Sequence, residues 1–160
     1  MVKVKICGLK SISTVKYAVR CGVDYIGFVF FEKSPRFVDI NAARKLTDLV
    51  PAEIKTVGLF VNASRRHIEK VSKEARLDYL QLHGQETPEQ VGKLKDLLGT
   101  PIIKSIGIAE KSDLEQVKEF EDTCDQLLID TKASISMKLP GGNGIAVSYT
   151  HLTLPTKRIV

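Results

Sequence analysis

The feature that most constrains this chain is a rhythm. Short apolar runs at residues 2–7, 25–30, 55–61, 79–82, 102–106 and 126–130 start roughly 25 residues apart, and helical patterns fill the gaps. That spacing is too short for a domain and right for one strand–helix unit. Alternating β and α units imply a parallel sheet covered by helices. Such a sheet is either open and doubly wound or rolled into a (βα) barrel. At 160 residues the chain can bury a sizeable core.

Helix signals sit in the expected gaps. Residues 13–20 carry the first pattern. Residues 40–49 carry the second, with Asp39 placed to cap it, and 64–75 the third, with Ile68 and Val71 on one face. Thr87-Pro88-Glu89-Gln90 reads as a capping box with proline at the first helical position. Ser112-Asp113-Leu114-Glu115 reads as a second capping box.

The first strand sets the pattern for the rest. Val2, Val4 and Ile6 alternate with Lys3 and Lys5, the signature of a half-buried strand. The alternation stops at Cys7, and Gly8 allows a sharp turn. A thiol is thereby placed at the C-terminal lip of a strand. Taken alone, a free cysteine is more often a small core residue. The other strand ends change that balance. They read Phe31-Glu32-Lys33-Ser34-Pro35-Arg36, Val61-Asn62, Gln81-Leu82-His83-Gly84, Lys104-Ser105 and Asp130-Thr131. Polar groups collected at one end of every strand are what the mouth of a barrel requires. No Gly-x-Gly-x-x-Gly fingerprint follows the first strand, which disfavours a dinucleotide-binding fold.

Composition excludes several classes. No apolar run is long enough to span a bilayer. The N-terminus has no basic-then-apolar signal pattern, so the expected location is cytoplasmic. Cys7, Cys21 and Cys124 are far apart and odd in number, which points to a reduced compartment and to no disulfide framework or metal site. The net charge of +5 suits an anionic small substrate, but ordinary solubility accounts for it as well. The basic residues are scattered without an aromatic-rich stripe, so nucleic acid is not an expected partner.

Lys5-Ile6-Cys7-Gly8, Gly27-Phe28-Val29-Phe30, Ser34-Pro35-Arg36, Val57-Gly58-Leu59-Phe60-Val61-Asn62, Gln81-Leu82-His83-Gly84 and Ile129-Asp130 occur in that order. In this ordered set the chain resembles phosphoribosylanthranilate isomerase, a family of tryptophan biosynthesis. The likeness runs over residues 2–144. It implies a parallel (βα) TIM-type barrel, of which about six of eight units are readable, and an Amadori rearrangement of a phosphorylated ribosylamine of anthranilate. The substrate is a small phosphorylated molecule, and no metal or organic cofactor is expected. An Amadori rearrangement needs an acid to protonate the ring oxygen and a base to remove the proton from C2 of the resulting imine. The resemblance makes Cys7 the base and Asp130 the acid. Arg36 corresponds to the residue facing the anthranilate carboxylate, where a planar guanidinium suits a planar anion. Gln81 and His83 are expected to line the mouth. A lone histidine is more often structural, as are a loop arginine and a turn aspartate.

Pro140-Gly141-Gly142-Asn143-Gly144 resembles the family's glycine turn after strand six, with asparagine where the family usually has threonine. Gly141, Gly142 and Gly144 are therefore expected to contact substrate. After Gly144 the likeness stops. Residues 145–160 have no helical period, and Pro155 interrupts any strand there. The expectation is a partial barrel over residues 1–144 and an artefactual or disordered tail over 145–160. The other reading is a native C-terminus whose barrel is closed by a partner chain. Open sheet edges would favour self-association. Two alternatives to the isomerase stay open: a non-catalytic barrel fragment binding anions weakly, and another phosphate-binding barrel such as the indoleglycerol-phosphate synthase.

Overall fold

The computed structural model of the protein describes residues 2–132. The chain divides into two compact units, the first ending at Gln81 and the second beginning at Leu82.

The first unit contains β1 (Lys5–Cys7), α1 (Ile12–Arg20), β2 (Tyr25–Val29), α2 (Ile40–Thr47), β3 (Lys55–Phe60) and α3 (Arg65–Ala75). It ends within β4 (Tyr79–Leu82). Its strands lie in the order β1-β2-β3-β4. β1 and β2 are parallel with Cys7 beside Gly27, and β2 and β3 are parallel with Tyr25 beside Lys55. Each helix starts where a side chain can take an otherwise unpaired N–H. Ser11 accepts from Thr14, Asp39 from Ala42 and Ser64 from His67. The apolar faces are buried as the spacing demands, with Val15 and Ala18 on α1 and Ile68 and Val71 on α3. Phe28, Phe60, Ile26 and Leu80 are fully buried, and Phe30 stacks on Phe60 at 5.4 Å between ring centroids.

The second unit contains α4 (Pro88–Leu98), β5 (Ile102–Ile108), a 3-10 turn (Lys111–Asp113), α5 (Leu114–Phe120) and β6 (Gln126–Thr131). β5 and β6 are parallel, with Ile103 beside Gln126 and Gly107 beside Asp130. The capping box of α4 is formed in full: Gln90 N–H donates to the Thr87 hydroxyl and Thr87 N–H to the Gln90 side chain, with Pro88 in the first turn. Gly99 ends that helix in the left-handed conformation, φ 61°.

A repeated device joins odd strands to the even strands that follow them. Asp24, Asp78 and Asp125 each precede an even strand. Their carboxylates accept the N–H of Val4 (2.7 Å), Thr56 (2.7 Å) and Ile102 (2.8 Å), respectively. Each aspartate N–H returns a bond to the carbonyl of that same residue. A two-way link of this kind fixes the register at the start of each strand pair.

Three expectations need correction. Only Lys5–Cys7 of the first run is strand, and Val2, Val4 and Ile6 are 88%, 47% and 40% exposed, not half-buried. β1 ends the strand order and has β2 as its single neighbour among the described strands. Val4, Ile6, Leu9, Tyr17 and Val23 instead line an apolar groove of ≈ 730 Å³. Second, β5 does not end at Lys104-Ser105. It runs on to Ile108 because β6 pairs with it as far as Thr131, leaving Lys104 and Ser105 buried within the strand. Third, Ser112-Asp113-Leu114-Glu115 is not a capping box: Asp113 takes the cap position and makes no cap bond. Its carboxylate turns back to accept the N–H groups of Ala109 (2.9 Å) and Glu110 (3.1 Å) and pairs with Lys132 at 2.5 Å. Burial pushes the Asp113 carboxyl up, but the bonds from Lys132, Ala109 and Glu110 outweigh it and hold it below the usual range. The Asp113 hydrogen bond and charge hold the Lys132 ammonium above its usual range.

Candidate active site

In the first unit the Cys7 thiol is framed by two glycines. Cys7 is half-buried at the end of β1. A Cβ on its neighbour Gly27 would fall 2.6 Å from the Cys7 sulfur, so the thiol occupies the room that a side chain there would need. Gly8 follows with φ +84°, and its N–H donates to the Gly27 carbonyl at 2.8 Å, turning the chain out of the sheet. A Cβ on Gly8 would fall 2.5 Å from Cδ of Arg36, so the arginine stem lies against the backbone next to the thiol. The sequence thus brings Cys7 and Arg36 together through Gly8.

The loop that presents Arg36 is tied internally. Ser34 N–H donates to the Phe31 carbonyl, Phe37 N–H donates to the Ser34 carbonyl, and Arg36 N–H donates to the Ser34 hydroxyl at 3.1 Å. Val38 N–H then rejoins β2 at Val29. Lys10, in the loop after β1, donates to the Pro35 carbonyl at 2.9 Å and links the two loops.

Gln81, expected to line the mouth, lies in β4. It is 1% exposed, and its side-chain oxygen accepts a hydrogen bond from Lys5 Nζ. Lys5 and Cys7 are two residues apart on β1 and share a face of the sheet. Lysine at that position read as the polar face of the strand. The structure gives it a buried partner.

In the second unit, His83 and Asp130 meet. His83 Nε2 lies 3.5 Å from Asp130 Oδ2, with side chains 12% and 33% exposed. The other carboxylate oxygen accepts the N–H of Thr131 at 2.7 Å. Gly107 lies beside Asp130 on β5, and a Cβ there would press on the Lys132 backbone at 3.1 Å. An aspartate at the end of the run Leu127-Leu128-Ile129 suggests apolar surroundings. The structure adds an imidazole as its partner. The same unit holds an ion pair that the sequence did not single out. Lys104 Nζ pairs with Glu86 at 2.8 Å and donates to the Gly84 carbonyl at 2.7 Å, while Glu86 accepts the Gly84 N–H at 3.0 Å.

The remaining cysteines have other places. Cys124 is buried and donates to the Phe120 carbonyl, and burial pushes its thiol up, so it stays protonated in the core. Cys21 is exposed just past α1. Among the described residues no group of three or more His, Cys, Asp and Glu side chains could hold a metal ion, and no helix is long and apolar enough to cross a membrane. The glycine turn with Gly141, Gly142 and Gly144, and the tail over 145–160, lie outside the described residues.

Comparison with known proteins places the chain in a family. The family model for N-(5'-phosphoribosyl)anthranilate (PRA) isomerase matches residues 4–157. The chain is similar to the N-(5'-phosphoribosyl)anthranilate isomerase of Cereibacter sphaeroides, 41% identical over 148 residues, covering 92% of this chain and 70% of that protein. It is similar to the isomerase of the same name from Paracoccus denitrificans, 43% identical over 151 residues, covering 94% and 70%. Among solved structures it resembles a phosphoribosyl anthranilate isomerase in complex with reduced 1-(o-carboxyphenylamino)-1-deoxyribulose 5-phosphate. The TM-score is 0.77 and the identity 33%, over 82% of this chain and 66% of that one. The parallel (βα) units described above are those of the TIM-type fold these structures share. The chain belongs to the N-(5'-phosphoribosyl)anthranilate isomerase family.

Proposed function

We propose that the protein of which these residues form a part catalyses the Amadori rearrangement of N-(5'-phosphoribosyl)anthranilate in tryptophan biosynthesis, in the cytoplasm. The chain spans about 70% of the length of its curated relatives, so the activity is proposed for the full-length protein. The observation that carries the reading is the pairing of a strand-end thiol with an arginine across Gly8. In this reading Asp130 delivers a proton to the furanose ring oxygen as the C1–O bond opens. Cys7, as thiolate, then removes the C2 proton of the imine, and the enol relaxes to the amino-ketose. Arg36 faces the anthranilate carboxylate, and its stem packing on Gly8 limits the conformations it must give up on binding. Gln81 and His83 contribute indirectly, Gln81 through Lys5 and His83 through Asp130. Gly141, Gly142 and Gly144 of the glycine turn are assigned to substrate contact.

Calorimetry of the full-length protein with the reduced product analogue tests the binding half of this reading. Saturable binding is expected, and Arg36→Lys should weaken it about tenfold or more, because a point charge replaces a two-pronged donor. Unchanged affinity in Arg36→Lys would return that residue to the loop it stabilises.

The exposed row Val4–Ile6 on an edge strand supports a second proposal, self-association of the 160-residue chain through β1. Sedimentation velocity should show a mass that rises with concentration, and Ile6→Lys should suppress the rise. A monomer at every concentration would contradict it.

A further inference from the structure

The isomerisation chemistry makes no use of Lys104 and Glu86, yet the fold invests heavily in them. Lys104 is 3% exposed, and its partner Glu86 has a side chain 10% exposed. Burying two charges is costly, and an apolar pair of similar volume would usually serve stability as well or better. What the charges achieve is specific. Lys104 Nζ donates to the Gly84 carbonyl at 2.7 Å, and Glu86 Oε2 accepts the Gly84 N–H at 3.0 Å. The same carboxylate oxygen bonds Lys104 Nζ at 2.8 Å. Gly84 is therefore gripped at both of its backbone groups by the two halves of one ion pair. Gly84 directly follows His83, and His83 Nε2 is the group that lies 3.5 Å from Asp130. The Lys104 stem is fixed in turn, since it projects from the middle of β5 with its ammonium 5.6 Å from the centre of the Phe120 ring.

We propose that Lys104 and Glu86 are positioning residues that lock the turn after β4 by gripping Gly84, and so aim the His83 imidazole at Asp130. The proposal deepens the reading above and rests on its assignment of Asp130 as the acid. A neutral turn held only by its own backbone would let the imidazole swing away from the carboxylate.

The test is nuclear magnetic resonance of the 160-residue chain with nitrogen-labelled histidine, on the wild type, Glu86→Ala and Glu86→Gln. In the wild type the Gly84 amide should be protected from exchange, and the His83 ring should hold a single tautomer. Glu86→Ala should speed Gly84 exchange about 10- to 100-fold, the loss expected for a hydrogen bond to a charged group, and average the His83 tautomers. Glu86→Gln keeps an acceptor oxygen and should retain the single tautomer. An unchanged His83 ring in Glu86→Ala would overturn the proposal even if the variant melts earlier. A wild-type Gly84 amide exchanging at the open-chain rate would overturn it without any variant. The two assignments fail separately. Full kcat in Asp130→Asn of the full-length enzyme would remove the acid and leave Gly84 protection untouched. Loss of the Gly84 grip as an explanation would leave the Asp130→Asn result intact.

Discussion

Gly27 contributes to the site by what it leaves out. With the Cys7 sulfur 2.6 Å from where its Cβ would stand, Gly27→Ala must displace the thiol or push the strands apart. A shift of about 1 Å at a reacting group costs roughly 10²-fold in rate, so kcat/KM of the full-length enzyme should fall by about that factor. The melting temperature should move far less than for a core truncation. Unaltered kinetics in Gly27→Ala would show that the thiol position does not matter to the reaction. At this scale the residues proposed as acid and base drew notice because they break a pattern: Cys7 ends an alternation, and Asp130 ends an apolar run. Arg36 was legible from its place after Ser34-Pro35. Lys104 and Lys5 were not. Lys5 read as the polar face of a strand and Lys104 as a strand-end group, and the acceptor of each is remote in sequence: Gln81 for Lys5, the Gly84 carbonyl and Glu86 for Lys104.

Elements were legible in proportion to how local their causes are. The α4 capping box depends on residues within one turn, and it formed as the sequence reads. Ser112-Asp113-Leu114-Glu115 has the same pattern, but Asp113 finds three better donors in the preceding turn and in Lys132, and tertiary bonding overrides the local motif. The burial of β1 was misjudged for a similar reason, since alternation specifies two faces but not what covers them. The aspartate links also escaped the sequence reading, because each joins residues about twenty apart and resembles an ordinary turn aspartate. They carry a prediction. Asp78 accepts from both the N–H and the hydroxyl of Thr56. Asp78→Ala should therefore cost about 1.5–3 kcal/mol of stability, the range for hydrogen bonds to a charged group. Denaturant titration measures this, and a change within about 0.5 kcal/mol, the range of ordinary surface substitutions, would show that the links are incidental.

For the molecule as a whole, the succession of strand–helix units was the legible part, because each unit repeats one pattern at one spacing. The proposed chemistry draws on groups near the strand ends: a thiol and a guanidinium in the first unit, a carboxylate and an imidazole in the second. The central claim is that Cys7 and Asp130 handle the two protons of the rearrangement. The most direct measurement is steady-state kinetics of Cys7→Ser and Asp130→Asn in the full-length protein, with the folded state verified by circular dichroism. General acid–base groups typically contribute ~10²–10⁴-fold, so each variant should lose kcat by a factor in that range while KM changes much less. Near wild-type kcat in either folded variant would contradict the assignment of that residue, and in both it would contradict the mechanism.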